Sequence, residues 1–355
     1  MQEILKREDN PYTTLTASVE SDGRTVYLYL NPIEGIEAAS KAVWVMNLIP
    51  APEDDSESMS RGQAPMQRKA ACRHPAGLIL PSADEMDLVW FSEGTAVSLF
   101  IDGEIAAVIP PFAGQDGFYG FSREAIAPDN GTFPMPSGMQ ERGEENLEYW
   151  NRRTQKTFWK DFRDQLLAEY ETAFGTHTGY YILDGGKFPA MAMAEFTIPE
   201  SYLENEADAK KPGKLFATVG MSAQNMPAVE LHVKNPEPLF RIELVTIRDE
   251  PHPWFIDIMA RTALFPWRST TWIGPGHSIQ FQRKEPFSDF LIAEPHLISD
   301  KPLISAFDKI PRTILEGRYA RTLLFAVPVD SDDIRVANVR GRQRLLQKIK
   351  LLDRF

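Results

Sequence analysis

Val97-Ser98-Leu99-Phe100-Ile101, then Asp102-Gly103, then Glu104-Ile105-Ala106-Ala107-Val108-Ile109 sets the character of the front of the chain. Two apolar runs flank a two-residue Asp-Gly step. Asp and Gly tolerate the positive φ of a type I′ turn, whose twist matches that of the strands it joins. The stretch therefore predicts a β-hairpin. Upstream, Thr25-Val26-Tyr27-Leu28-Tyr29-Leu30 ends at Asn31-Pro32, and Ala42-Val43-Trp44-Val45-Met46 stops near Pro50 and Pro52. Leu88-Val89-Trp90-Phe91 is a further run of the same kind, so residues 12–120 read mainly as β. Between these runs Glu53 to Gln67 is polar. Its acids Glu53, Asp54 and Asp55 read as the solvated start of a short helix, or as a metal site, the first being simpler.

Working outward, 355 residues suit two domains. Prolines outnumber glycines, 27 to 22, which favours strands and structured loops over a helical bundle. With 43% hydrophobic and 25% charged residues the balance is globular, excluding a collagen, a coiled coil and a disordered chain. The net charge of −12 disfavours a general nucleic-acid binder, which needs a basic face for phosphate. No stretch approaches the roughly 20 apolar residues that span a bilayer. A single cysteine, Cys72, excludes an intrachain disulfide and a Cys-rich zinc site. Met1 to Tyr12 lacks the apolar core of a signal peptide, so the cytoplasm is the predicted compartment.

Pro128, Gly131, Pro134, Pro136, Gly138 and Gly143 fall within 16 residues and mark a boundary. The expected layout is a β-rich domain over 1–130, a linker over 131–146 and a second domain over 147–355. The second opens on a long helix, because Leu147, Trp150, Thr154, Phe158, Phe162, Leu166, Tyr170 and Phe174 recur at spacings of three or four. Gly175 is its natural stop. The aromatic stripe reads as core packed on a sheet, with a ligand groove as the alternative.

Strands are then predicted at Tyr180–Leu183, Ala194–Ile198, Leu215–Gly220, Ala228–Val233, Arg241–Ile247, Phe290–Ala293 and Thr322–Val327. A helix is predicted at Trp254–Ala263, and the charged stretch Glu200–Lys214 reads as an exposed excursion. From Ser331 onward seven bases outnumber three acids, so the rest of the chain is more acidic than the total suggests. Leu345, Leu346, Ile349 and Leu352 make this tail an amphipathic basic helix. Docking on the acidic body is the simpler reading; an anionic membrane or nucleic acid is the other.

Catalytic and cofactor motifs are missing: there is no P-loop, no Gly-x-Gly-x-x-Gly, no His-Glu-x-x-His, and Gly220-Met221-Ser222-Ala223-Gln224 lacks the second glycine of a nucleophile elbow. The six histidines are scattered, and neither a metal site nor a cofactor is expected. Two sites remain for chemistry. Cys72, in Ala71-Cys72-Arg73-His74-Pro75, is an activated thiolate beside His74 or an incidental thiol. Phe265-Pro266-Trp267-Arg268-Ser269-Thr270-Thr271-Trp272-Ile273-Gly274-Pro275-Gly276-His277 reads as a rigid aromatic loop. It is a turn that buries two tryptophans, an interaction site anchored by Trp and Arg, or a turn presenting His277 as a general base.

The order of motifs resembles the suppressor of fused family in its bacterial form. Phe216-Ala217-Thr218-Val219-Gly220-Met221-Ser222 is followed by Glu230-Leu231, the Arg241-Ile242-Glu243-Leu244 strand, the Trp254–Arg261 helix and Thr271-Trp272-Ile273-Gly274-Pro275-Gly276-His277. Leu291-Ile292-Ala293-Glu294-Pro295, Phe325-Ala326-Val327-Pro328-Val329 and Asp333-Ile334 leading into Arg342–Leu352 complete the series. The likeness covers about residues 145–352, and residues 1–130 resemble the extra segment of longer bacterial members.

It implies an α+β fold, with mixed β-sheets packed with helices, preceded by the β-rich N-terminal region. It also implies a non-enzymatic, protein-binding role. Eukaryotic members clamp an extended peptide by strand addition, and bacterial members are proposed as immunity proteins that neutralise toxins. Ala223-Gln224-Asn225-Met226 replace acidic and aromatic residues of the eukaryotic pattern, so the eukaryotic peptide is not the expected partner. The residues expected to meet a partner, a basic protein or toxin, are Ser222, Trp267, Arg268, Trp272, Gly276 and His277. The alternative is a hydrolase using His277 or the Cys72/His74 pair.

Overall fold

The computed structural model describes residues 3–198, 213–248, 250–281, 287–298, 301–314 and 317–346. The chain divides into two compact units. The first comprises Met1–Gln155 with Glu230–His232 and Trp267–Thr270; the second comprises Lys156–Val229, Val233–Pro266 and Thr271–Phe355.

In the first unit, β1 (Glu3–Asp9), β2 (Leu15–Ser21), β3 (Thr25–Pro32) and β4 (Lys41–Asn47) form an antiparallel sheet in chain order. A short helix α1 (Ser56–Ser60) follows, where the polar stretch predicts one. Then come β5 (Met86–Trp90), β6 (Val97–Ile101), β7 (Glu104–Ile109), β8 (Gly120–Ser122) and β9 (Thr132–Pro134) in a second sheet, antiparallel except for β8–β9. Asp102 and Gly103 adopt φ of 51° and 76°, the pair of positive values that the hairpin requires. Leu28, Val43 and Val45 of one sheet and Leu99, Ala107 and Ile109 of the other are fully buried in a shared core.

Helix α2 (Met139–Arg153) starts inside the stretch expected to be a linker, and Trp150 donates from Nε1 to Trp90 O at 2.7 Å. The long helix predicted through Phe174 is two helices: α2 ends at Arg153 and α3 (Phe158–Phe174) begins after it. Thr154 Oγ1 back-bonds to Trp150 O at 2.9 Å, competing for a helical carbonyl. The apolar stripe holds on α3, where Phe158, Phe162, Leu166, Tyr170 and Phe174 are buried, but not on α2, where Leu147 is exposed and Tyr149 is buried instead.

The second unit is built on seven strands: β10 (Gly179–Ile182), β11 (Ala192–Thr197), β12 (Lys214–Val219), β13 (Ile242–Arg248), β14 (Ser278–Gln280), β15 (Asp289–Ala293) and β18 (Thr322–Val329). Their order is β10-β11-β12-β13-β18-β15-β14, with β13–β18 the parallel pair. The remaining pair, β16 (Thr313–Ile314) and β17 (Tyr319–Ala320), forms a small hairpin.

One sheet face is covered by Phe162, Leu166, Tyr170 and Phe174 of α3 and by Leu303 and Phe307 of α7 (Lys301–Phe307). The other meets α6 (Pro253–Arg268), where Phe255 packs edge-on against Phe216, centroids 4.9 Å apart. The aromatic stripe of α3 is thus core, not a groove. Ala228–Val233, expected as a strand, is instead the short helix α4 (Val229–His232), and Ala228 before it turns at a φ of 58°. A second short helix, α5 (Glu237–Phe240), leads into β13.

At the C-terminus, α8 (Ser331–Arg340) is capped by Asp330, whose Oδ1 accepts from Asp333 N, and α9 (Arg342–Leu346) follows. Ala337, Leu345 and Leu346 are buried in the core, so this part of the basic tail is docked. Ile349 and Leu352, and the excursion over 199–212, lie outside the described residues.

Candidate functional site

Two turns of the second unit hold the residues that sequence singles out. The first follows β12. Val219-Gly220-Met221-Ser222 must leave the sheet abruptly, and Gly220 does so at a φ of 121°, a value that strains a residue with a side chain. A Cβ there would lie 2.5 Å from Ala190 O and 3.1 Å from the Trp159 ring.

Glu243, on the neighbouring strand β13, holds this turn. Its Oε1 accepts from Gly220 N at 3.0 Å, Ser222 N at 2.9 Å and Ser222 Oγ at 2.7 Å. Its Oε2 accepts from Thr218 Oγ1 at 2.6 Å. Arg241, two residues earlier and 2% exposed, donates to Ser222 O at 3.0 Å and stacks its guanidinium over Tyr319 at 4.0 Å. Burial pushes the Glu243 carboxyl above its ordinary range, and its four donors pull the other way. Ser222 is fully buried in this knot. It therefore presents nothing to a partner, contrary to its place among the expected binding residues.

The second turn follows α6. That helix runs four residues further than Phe265 would suggest for a loop start, carrying Pro266 inside it and ending at Arg268. Trp267 is 1% exposed, so it is core rather than an anchor. Arg268 is exposed, but both residues belong to the first unit by contact.

What remains is a tight loop, Thr271–His277. Gly274 is required by space: a Cβ would sit 2.3 Å from the Trp272 ring. Ile273 is buried beneath, its N–H directed at Met226 Sδ at 3.2 Å. Trp272 and His277, both half-buried, meet edge-to-face with centroids 4.3 Å apart. Gly274 N donates to His277 Nδ1 at 3.4 Å, a long bond. Together with Phe265, Gly276, Ile279 and Arg342 they line an open pocket of about 320 Å³.

The pocket borders β14, which pairs only with β15 and ends the sheet among the described residues. Ile292 N donates to His277 O and Phe281 N to Ser288 O, so the odd-numbered residues bond inward. By antiparallel alternation, Ser278 and Gln280 turn their N–H and C=O groups to the open edge. Composition and motifs point to the tryptophan loop but not to this edge, because a three-residue strand leaves too short an alternation to read.

The Cys72/His74 pair does not assemble as a nucleophile and base. Cys72 is buried, donates from Sγ to Gln67 O at 3.3 Å and accepts from Asn47 Nδ2 at 3.4 Å. Burial, then the nearby Asp129 and Glu124, push its thiol up to about 11. His74 Nδ1 lies 2.5 Å from Glu124 Oε2. Among the described residues no three His, Cys, Asp or Glu gather to hold a metal, and no helix is long and apolar enough to cross a membrane.

The family model described as Suppressor of fused protein (SUFU) matches residues 197–354, which carry both turns. No curated protein sequence matches the chain. Among solved structures, "the Sufu-Fu complex crystal structure" is similar at 9% identity and a TM-score of 0.33, over 55% of this chain and 93% of that one. Residues 197–354 of the chain are thus similar to the SUFU family.

Proposed function

We propose that the chain is a non-enzymatic protein-binding module that sequesters or inhibits a partner protein. The observation that carries this reading is the open edge of β14 beside the Trp272–His277 pair. An extended segment laid on that edge finds backbone partners at Ser278 and Gln280, and its side chains find the aromatic pocket. Arg342 at the pocket supplies a further donor. The net charge of −12 favours a basic partner, whose approach a negative field accelerates. Immunity against a basic toxin is the form of this role that the family resemblance suggests.

The test uses wild type, Trp272→Ala and Gln280→Pro as baits in extracts of the native host. Proline removes an outward N–H and blocks strand addition while sparing the pairing with β15. Loss of one protein band with both variants is expected. Equal recovery of that band by all three baits would sink this face as the site.

The enzyme reading has weaker support. A thiol held near 11 and a histidine against a tryptophan edge are poor starting points for acyl transfer. A hydrolase screen in which His277→Ala and Cys72→Ala match wild type would remove it; a specific activity lost in either would restore it.

A further inference from the structure

The seven-stranded sheet has a second free edge at β10, which pairs only with β11 among the described residues. Leu183 N donates to Met191 O at 2.9 Å, so the odd-numbered residues bond inward. By antiparallel alternation, Tyr180 and Ile182 turn their N–H and C=O groups outward. Both side chains lie on the face of α3, where Tyr180 packs against the core. There they join Trp159, Phe188 and Met191 around an open pocket of about 380 Å³. Ile182 is 68% exposed and Phe188 39%.

Free sheet edges are normally guarded by charge, proline or a bulge. β1, at an edge of the four-stranded sheet, carries Glu3, Lys6, Arg7, Glu8 and Asp9. β10 is Gly-Tyr-Tyr-Ile, with no charge, no proline and no bulge in its pairing. An unguarded edge beside exposed apolar side chains is a surface that gains by being covered. Its outward groups suit a second copy of the same strand. A two-fold axis through Tyr181 sets Tyr180 of each copy against Ile182 of the other, and each such pair exchanges both backbone bonds. Charge follows the same symmetry. Lys187, just beyond the end of β10, is exposed and makes no ion pair among the described residues. Asp184 at that end is buried, with its oxygens spent on Gly186 N and Met191 N. Glu171 stands before the start of the strand, where it accepts from His177 N. Antiparallel reversal brings Lys187 of each copy toward Glu171 of the other.

We propose that two copies of the chain pair antiparallel through β10, continuing the sheet across a two-fold axis at Tyr181, with Ile182 of each copy covering the apolar pocket of the other. β14 ends the sheet order on the opposite side and stays free. The pairing therefore stands or falls independently of the docking reading.

One short strand and one apolar patch make a small interface, so a dissociation constant on the order of 1–100 μM is expected. Sedimentation of the full chain from about 1 to 300 μM should show a monomer–dimer equilibrium. Ile182→Lys sets a charge against each pocket and should weaken dimerisation at least about tenfold. Its melting temperature should stay near that of wild type, because Ile182 is exposed. Lys187→Glu should weaken dimerisation about two- to threefold at low salt, and adding Glu171→Lys should recover the loss.

Cross-linking reads the register. Tyr181 faces its own copy across the axis in a non-hydrogen-bonded pair, where Cα atoms lie about 4.5 Å apart, within reach of a disulfide. Oxidised Tyr181→Cys should form a covalent dimer readily, and Ile182→Cys, which faces Tyr180 instead, should form little. The native Cys72 is buried and does not compete. If Tyr181→Cys does not fold, Ile182→Lys and the charge exchange decide. A chain that stays monomeric up to about 300 μM, a dimer unmoved by Ile182→Lys, or Ile182→Cys cross-linking as fast as Tyr181→Cys would each overturn the proposal.

Discussion

The Gly220–Ser222 turn and the Trp272–His277 loop both carry residues that sequence marks for partner binding, and they are built on opposite terms. At Gly220–Ser222 every marked group is turned inward: four donors converge on Glu243, and Ser222 is fully buried. At Trp272–His277 the side chains are half-buried, and the two rings meet edge-to-face beside an open pocket. Polar residues in a turn serve the fold when a buried charge gathers them. Aromatic residues in a turn remain available when a glycine lets them fold back on the surface. The difference teaches that residue type alone does not locate a docking face; the partner of each polar atom must be known.

The comparison breaks most sharply at Glu243. Glu243→Ala leaves the N–H and O–H groups of Gly220, Ser222 and Thr218 buried without acceptors. A loss on the order of 3–5 kcal/mol is expected in urea unfolding, since each orphaned donor costs roughly 1–3 kcal/mol and the costs do not fully add. A loss below about 1 kcal/mol would show that water satisfies the turn and that it is not a structural knot. Gly220→Ala comes next. The added Cβ meets Ala190 O at 2.5 Å, and the backbone sits at a φ of 121°. About 2–3 kcal/mol is expected from strain and clash together, read by the same unfolding curves.

A smaller effect separates the turns by pH. Burial raises the Glu243 pKa above 4.5 in the folded chain. Just above 4.5, the folded state then holds a proton that the unfolded state has released, so Glu243 makes stability fall as pH rises. The fall levels off once the folded carboxyl has also ionised. Glu243→Gln lacks this titration. Its deficit relative to wild type should narrow as pH rises from 4.5 toward neutral, measured as the difference between two unfolding series. A deficit that widens instead would mean that the four donors outweigh burial and the folded pKa is depressed.

Much of the fold was legible for local reasons. The Asp102-Gly103 hairpin is encoded by two residues able to take positive φ, and long strands such as β3 and β18 by continuous β-branched and aromatic runs. Failures arose where a local pattern serves two masters. The stripe through Leu147 and Phe174 reads as one helix because the spacing continues across the break, although Leu147 is exposed on α2 and only the α3 part is buried. Ala228–Val233 has the composition of a strand, but Ala228 turns the chain and a helical turn follows. For the site, the tryptophan and glycine content of residues 265–277 marked out a loop, yet it did not say which tryptophan is core. Glu243 was visible as a charge inside an apolar strand, but its four donors are assembled from another strand and turn, which no spacing in the sequence encodes.

The least disruptive substitution is the most informative about function. Trp272 is half-buried and packs on His277 and Gly274, outside the main core of the sheet. Trp272→Ala should therefore cost only about 1 kcal/mol or less in unfolding, because little apolar area leaves the core. Against that small structural cost, loss of partner recovery would be a binding effect rather than an unfolding one. Should Trp272→Ala destabilise the chain as much as Gly220→Ala does, the contrast between the turns fails. The tryptophan loop would then be a second structural knot, and the open edge of β14 would have to bind its partner through backbone contacts alone.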